Sequence, residues 1–181
     1  MTWKKFLLIG CLGGALIFNA CDKDDDDPIV PPPDEELNQV DSTFLINAAH
    51  GNLAEIKTGE LASTKGSTDS VKMFGQMLVT LHQDAQDELD SIASGENVNL
   101  PDTADVYGQA MYRALNRLSG AAFDSAFIKL QIFAHDTAIK VYQAYESSGS
   151  FTSLKNYATK YIPLLQTDAT YLDSLYAQLP K

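Results

Sequence analysis

The sequence predicts an all-α protein: two helical hairpins packed as a four-helix bundle, joined by a long crossover that carries a short fifth helix. Three observations predict it. First, apolar residues of 37–181 recur at steps of three and four, and strand-type alternation is absent. Second, Gly66, Gly95, Gly120 and Gly149 fall where those stretches should stop. Third, the chain repeats itself: a shift of 83 residues lays 41–92 over 124–175 without a gap.

Residues 1–20 read as a lipoprotein signal peptide. Lys4 and Lys5 supply the positive start, 6–18 is apolar, and Ala20-Cys21 closes the segment with a small residue before a cysteine. Cys21 is therefore the expected lipidation point. Leu8-Ile9-Gly10-Cys11 is a better local match, but it leaves only 6–9 as the apolar region, shorter than the ~7 residues a signal needs. Residues 21–36 follow as an acidic and proline-rich tether, Asp22-Lys23-Asp24-Asp25-Asp26-Asp27 and then Pro28-Ile29-Val30-Pro31-Pro32-Pro33. Like charges repel and prolines stay extended, so a disordered spacer is expected. The acidic run is similar to the signal that moves some Gram-negative lipoproteins to the cell surface. The expected location is the outer membrane, with the domain facing the periplasm or exported to the surface.

The domain, 37–181, begins with a helix near 37–65 carrying Val40, Phe44, Ala48 and Ile56. Val71, Phe74, Leu78, Leu81, Ala85, Leu89 and Ile92 mark a second helix over 68–94. A short helix over 103–118 lies in the crossover. Phe123, Phe127, Leu130, Ala134, Ala138, Val141 and Tyr145 mark the helix over 121–147. Leu154, Tyr157, Tyr161, Leu164, Leu172, Leu175 and Leu179 mark the last, over 151–179. Ser67 and Ser150 are expected N-caps. Pro163 should kink the last helix. Mid-helix Gly51, Gly59, Gly75 and Gly108 cost about 1 kcal/mol each relative to Ala, which close helix approach or a ligand would explain.

The repeat matches at both turns and both ends. Asp41-Ser42-Thr43-Phe44 meets Asp124-Ser125-Ala126-Phe127, Gly66-Ser67 meets Gly149-Ser150, and Leu89-Asp90-Ser91 meets Leu172-Asp173-Ser174. Each hairpin has one apolar stripe and needs the other to bury it. The segment 93–122 is long enough to run the bundle's length, which sets the second helix parallel to the next long one. That is the ferritin-like topology.

The chain also resembles a known family. Phe44, Ala48-Ala49, Gly51-Asn52, Glu55, Gly59, Leu61-Ala62, Val71-Lys72, Met77 and His82 follow its first half. Leu100-Pro101, Leu118-Ser119-Gly120, Phe123-Asp124, His135, Leu154-Lys155 and Pro163 follow its second. The family is the bacterial "putative outer membrane protein" group of ferritin-like helical domains, a domain of unknown function. The resemblance spans roughly 40–179 and implies an exported helical bundle with no established activity. The chain departs from the family pattern at Leu81 and Asp168.

Composition excludes several functions. Thirteen basic against 24 acidic residues leave a net charge of −11, which argues against nucleic acid as a partner. Cys11 and Cys21 are the only cysteines, so a disulfide framework and a Cys-type zinc site are excluded. No Gly-x-Ser-x-Gly elbow, phosphate-cradling glycine loop or Glu-x-x-His occurs. Asp84, Asp87, Glu88 and Asp90 read as a solvated face. Tyr142, Tyr145, Tyr157, Tyr161, Tyr171 and Tyr176 read as core packing with hydroxyls at the rim. His50 reads as a boundary residue.

Two functional classes stay open. One is a non-catalytic envelope module, held on the membrane by its lipid, that binds a protein or small-molecule partner. The other is a ferritin-like protein holding a divalent transition metal. His82 lies 16 residues after Gly66 and His135 lies 14 before Gly149, so the crossover topology sets them at similar height. Asn52 is the repeat counterpart of His135 and should share that level. Glu55 and Asp168 fall about one turn away, at ~5.4 Å per turn. Glu55, His82, His135 and Asp168 thus offer two imidazoles and two carboxylates, one from each long helix.

Overall fold

The computed structural model describes residues 36–179. The expected signal peptide, Cys21 and all of the expected tether but Glu36 lie outside the described residues. Within them the chain forms five helices and no strand: α1 Gln39–Lys65, α2 Asp69–Gly95, α3 Val106–Asn116, α4 Gly120–Ser148 and α5 Thr152–Ala177. No described helix is long and apolar enough to cross a membrane.

Local chemistry sets the helix ends. Asn38 opens α1 with a capping box: its side chain accepts from the Val40 and Asp41 amides, and Asp41 accepts from the Asn38 amide. Thr68 caps α2, and Asp105 caps α3 by accepting from the Gly108 amide. Gly66 and Gly149 close α1 and α4. Gly120, with φ +59°, opens α4 instead of ending α3, in the left-handed region that suits glycine.

The expected caps Ser67 and Ser150 are displaced by one residue, because both serines face the opposite hairpin. Ser67 donates its hydroxyl and amide to Asp124, at 2.6 and 2.8 Å. Ser150 donates its hydroxyl and amide to Asp41, at 2.7 and 3.1 Å. Asp41 and Asp124 are repeat counterparts, and so are Ser67 and Ser150. Each hairpin therefore ties the start of its first helix to the turn of the other hairpin.

These ties fix the helix directions. The start of α4 meets the α1–α2 turn, so α4 runs antiparallel to α1 and parallel to α2. The start of α1 meets the α4–α5 turn, so α5 runs parallel to α1. The largest interfaces are α1 on α2 and α4 on α5. In the first of these, Gly59 and Gly75 meet backbone to backbone. A Cβ on Gly75 would sit 2.7 Å from the Gly59 carbonyl oxygen, so glycine permits this approach. Gly51 has nothing within 4 Å of its would-be Cβ, so close packing does not explain it.

The apolar core is divided into two clusters. One gathers Phe44, Leu45, Leu89, Tyr145, Leu154 and Tyr157, and the other Leu61, Phe74, Leu78, Phe123, Phe127 and Leu172. Between them, at the middle of all four long helices, the buried side chains turn polar: Asn52 and Thr58 on α1, His82 on α2, Gln131 and His135 on α4, Asp168 on α5. Val40, Val141 and Leu164, read from spacing as stripe residues, are exposed. Val141 faces the cavity described below, and Leu164 lines a shallow groove beside α2.

Candidate functional site

The polar waist is built from core-facing positions. Gln131 and His135 continue the run Phe123–Phe127 at steps of four, so they point inward as surely as the phenylalanines do. Asn52 continues Leu45 and Ala48–Ala49 in the same way. Each enters the core because its helix face is fixed by apolar neighbours on both sides.

The structure brings the four candidate ligand residues to this level. His135 Nε2 stands 3.7 Å from Asp168 Oδ2, and the His82 and His135 ring centroids are 6.3 Å apart. Glu55 feels the charges of both His135 and Asp168. Asn52 joins the layer as its repeat position implies. As the side chains lie, no group of three or more His, Cys, Asp or Glu among the described residues could hold a metal ion. His50 stays outside this layer, its Nδ1 2.9 Å from the Thr103 carbonyl oxygen.

Hydrogen bonds orient both imidazoles. Asn52 Nδ2 donates to the Tyr157 hydroxyl at 3.1 Å, so Asn52 Oδ1 accepts from His82 Nδ1, 3.0 Å away. That leaves His82 Nε2 with its lone pair. His135 Nδ1 donates to the Gln131 carbonyl at 3.0 Å, so its Nε2 is also turned inward. Gln131 Nε2 donates to Thr58 at 3.1 Å, and the Tyr142 and Tyr157 hydroxyls pair at 3.4 Å. Tyr145 donates to Asp41 at 2.6 Å. The expectation of tyrosine hydroxyls at the rim is corrected here: those of Tyr142, Tyr145 and Tyr157 lie inside, because the waist and Asp41 supply buried partners.

Three polar atoms of the candidate residues have none. Glu55 Oε2, His82 Nε2 and His135 Nε2 are buried without a hydrogen-bond partner. Each such group costs about 1–3 kcal/mol. Titration reflects the same surroundings. Burial pushes the Glu55 carboxyl up, against the pull of His135 and a Gln131 hydrogen bond. Burial, with the charge of His135, pushes His82 down to about 3. Burial also works against charge on His135, but Asp168 and Glu55 outweigh it and hold this imidazole above its ordinary value.

A cavity of about 430 Å³ reaches the waist between α1, α3 and α4. Ala48, Ala54, Ala134, Ala138, Val141 and Leu165 form apolar wall, and Asn52, Glu55, His82 and Tyr142 form polar wall. Tyr107 and Phe133, both well exposed, also line it. Gly51 lines it too, which gives that glycine a place in the site. His135 and Asp168 do not line it; they pair with each other, 3.7 Å apart. Sequence reasoning missed Thr58, Gln131 and the part of α3 in the cavity. A polar residue at a core-facing stripe position was the available signal for Gln131. No signal pointed to α3.

A family model described as "Domain of unknown function (DUF4142)" matches residues 29–175, and the chain belongs to that family. No curated protein matches the chain.

Proposed function

Starting from this family membership, we propose that the chain is a non-catalytic binding module of the cell envelope. Cys21 carries its lipid anchor in the outer membrane, and the acidic tether 21–36 holds the domain off that surface. The helix directions and the crossover support a ferritin-like four-helix bundle as its architecture. The observation that carries the binding reading is the cavity between α1, α3 and α4. Its volume of about 430 Å³ lies in the range of small-molecule sites, roughly 300–1,000 Å³. Its apolar wall with a few convergent polar groups is the usual composition of such a site.

The test is binding of an uncharged hydrophobic dye, N-phenyl-1-naphthylamine, to the full chain, followed by fluorescence. Saturable enhancement that Ala134→Phe abolishes supports the reading. No enhancement, or enhancement that the variant leaves unchanged, overturns it. The anchor is tested separately: Cys21→Ser should abolish fatty-acid labelling and membrane association, since acyl chains would be the only attachment. Labelling lost with Cys11→Ser instead refutes the assignment.

A second reading is a divalent transition metal held by Glu55, His82, His135 and Asp168. One observation favours it: both imidazoles donate Nδ1 to a protein acceptor, which fixes each ring and turns its Nε2 inward, as in metal-binding histidines. The side chains would have to close in on the ion. Such an ion would supply a positive charge to the four buried groups. Elemental analysis after expression in metal-supplemented medium tests this. Stoichiometric metal that disappears with His82→Ala plus His135→Ala supports it; substoichiometric or unaffected metal refutes it.

A further inference from the structure

We infer that the occupant of the α1–α3–α4 cavity is an amphipathic organic amine, its apolar body against the alanine-lined wall and its ammonium head turned toward Glu55 and His82. The inference rests on the binding reading above and adds the chemical class of the ligand.

Hydrogen-bond polarity carries it. His82 is 6 % exposed, lines the cavity and has an unpartnered Nε2. The chain Tyr157–Asn52–His82 holds the proton on Nδ1, so Nε2 can only accept. Glu55 lines the same wall, with a carboxylate oxygen that also lacks a partner. No Lys or Arg lines the cavity. A ligand carrying a carboxylate, phosphate or sulfonate would meet acceptors with an acceptor and an anion with a carboxylate. A purely apolar ligand would leave both buried acceptors without a partner, as they stand in the structure. An ammonium has three donors and a positive charge, so it matches both acceptors in polarity.

Two further features agree. Tyr107 and Phe133 are 79 % and 68 % exposed and line the cavity, and aromatic faces attract organic cations. The net charge of −11 raises the local concentration of cations near the protein.

The test compares three ligands of similar body by calorimetry on the full chain: phenethylamine, 3-phenylpropionate and 2-phenylethanol. Phenethylamine should bind at least tenfold tighter than 3-phenylpropionate. Glu55→Gln, which keeps shape and removes the charge, should weaken phenethylamine at least tenfold and leave 2-phenylethanol within twofold. Ala134→Phe should remove all binding, with the circular dichroism spectrum retained. If the three ligands bind equally and Glu55→Gln changes none of them, the amine class is wrong while the cavity reading stands. If none binds at millimolar concentration, both fall.

Discussion

His82 should make the domain sensitive to mild acid, well above the range where carboxylates protonate. Its imidazole is held neutral by burial, down to about 3, whereas an unfolded histidine titrates near 6.5. A histidine depressed in the folded state contributes stability that is fully present above 6.5 and is lost as pH falls toward 3, because the unfolded chain then binds the proton more readily. From those two values the loss is about 2 kcal/mol between pH 7.5 and pH 5, and about 3 kcal/mol by pH 4. The perturbation is His82→Gln, whose amide offers Asn52 a donor and does not titrate. The assay is urea unfolding of both proteins from pH 7.5 to pH 4 in EDTA. His135 works in the opposite sense: raised in the fold, it stabilises most below its ordinary value, and that share is lost as pH rises through the raised one. It is present in both proteins and enters their difference only through its charge on His82. The variant should therefore lose about 2 kcal/mol less than the parent between pH 7.5 and pH 5. Parallel pH profiles would refute the buried neutral imidazole, and with it the acceptor assigned to Nε2.

Other expectations follow from the same geometry. Asp41 is fully buried; burial alone would raise its carboxyl, but hydrogen bonds from Tyr145, Ser150 and Asn38 hold it at about 2. Asp41→Asn should cost about 2 kcal/mol at pH 7 in urea unfolding, a difference that fades as pH falls from near 4 through 2. Gly75→Val forces its Cβ onto the Gly59 carbonyl and should cost about 1–3 kcal/mol, read as a lower Tm. Gly51→Ala meets nothing within 4 Å and should gain up to about 1 kcal/mol of helix stability by the same measurement.

What the sequence made legible was what periodicity and duplication encode. The five helices lie within a few residues of their expected spans, and the long α1–α2 and α4–α5 partnerships follow from the hairpin repeat. The level of His82, His135, Glu55 and Asp168 was legible because turn glycines count residues along helices of known rise. Side-chain direction was not. Ser67 and Ser150 sit one residue before the caps Thr68 and Phe151, and only the opposing Asp124 and Asp41 explain why each turns away from its own helix. The cavity was hidden for a similar reason. It depends on where α3 lies beside α1 and α4, and Val106 and Tyr107 of α3 are exposed, so no apolar stripe announces its seat.

The duplication also separates what folding requires from what the waist adds. At the hairpin ends the two halves agree: Asp41 with Asp124, Gly66 with Gly149, Ser67 with Ser150. At the waist they part. Glu55 corresponds to Ala138, His82 to Leu165, Asp168 to Ala85 and His135 to Asn52. Ala85 and Leu165 are buried at their own positions, so equivalent sites of the same bundle accept apolar residues. Polar residues at the positions of His82 and Asp168 are therefore no requirement of helix packing. A variant in which Glu55→Ala, His82→Leu, His135→Asn and Asp168→Ala give these four positions their counterparts' residues removes three buried atoms that lack a hydrogen bond, worth about 1–3 kcal/mol each, but takes from Asn52 Oδ1 its His82 donor. Cavities left by the shortened side chains offset part of that gain. The net expectation is a melting temperature equal to the parent's or higher, at roughly 2–4 °C per kcal/mol. Phenethylamine binding should vanish in the same protein. A fall of more than about 5 °C, corresponding to more than 1 kcal/mol, would mean that the waist holds the bundle together and that its unpartnered atoms serve the fold.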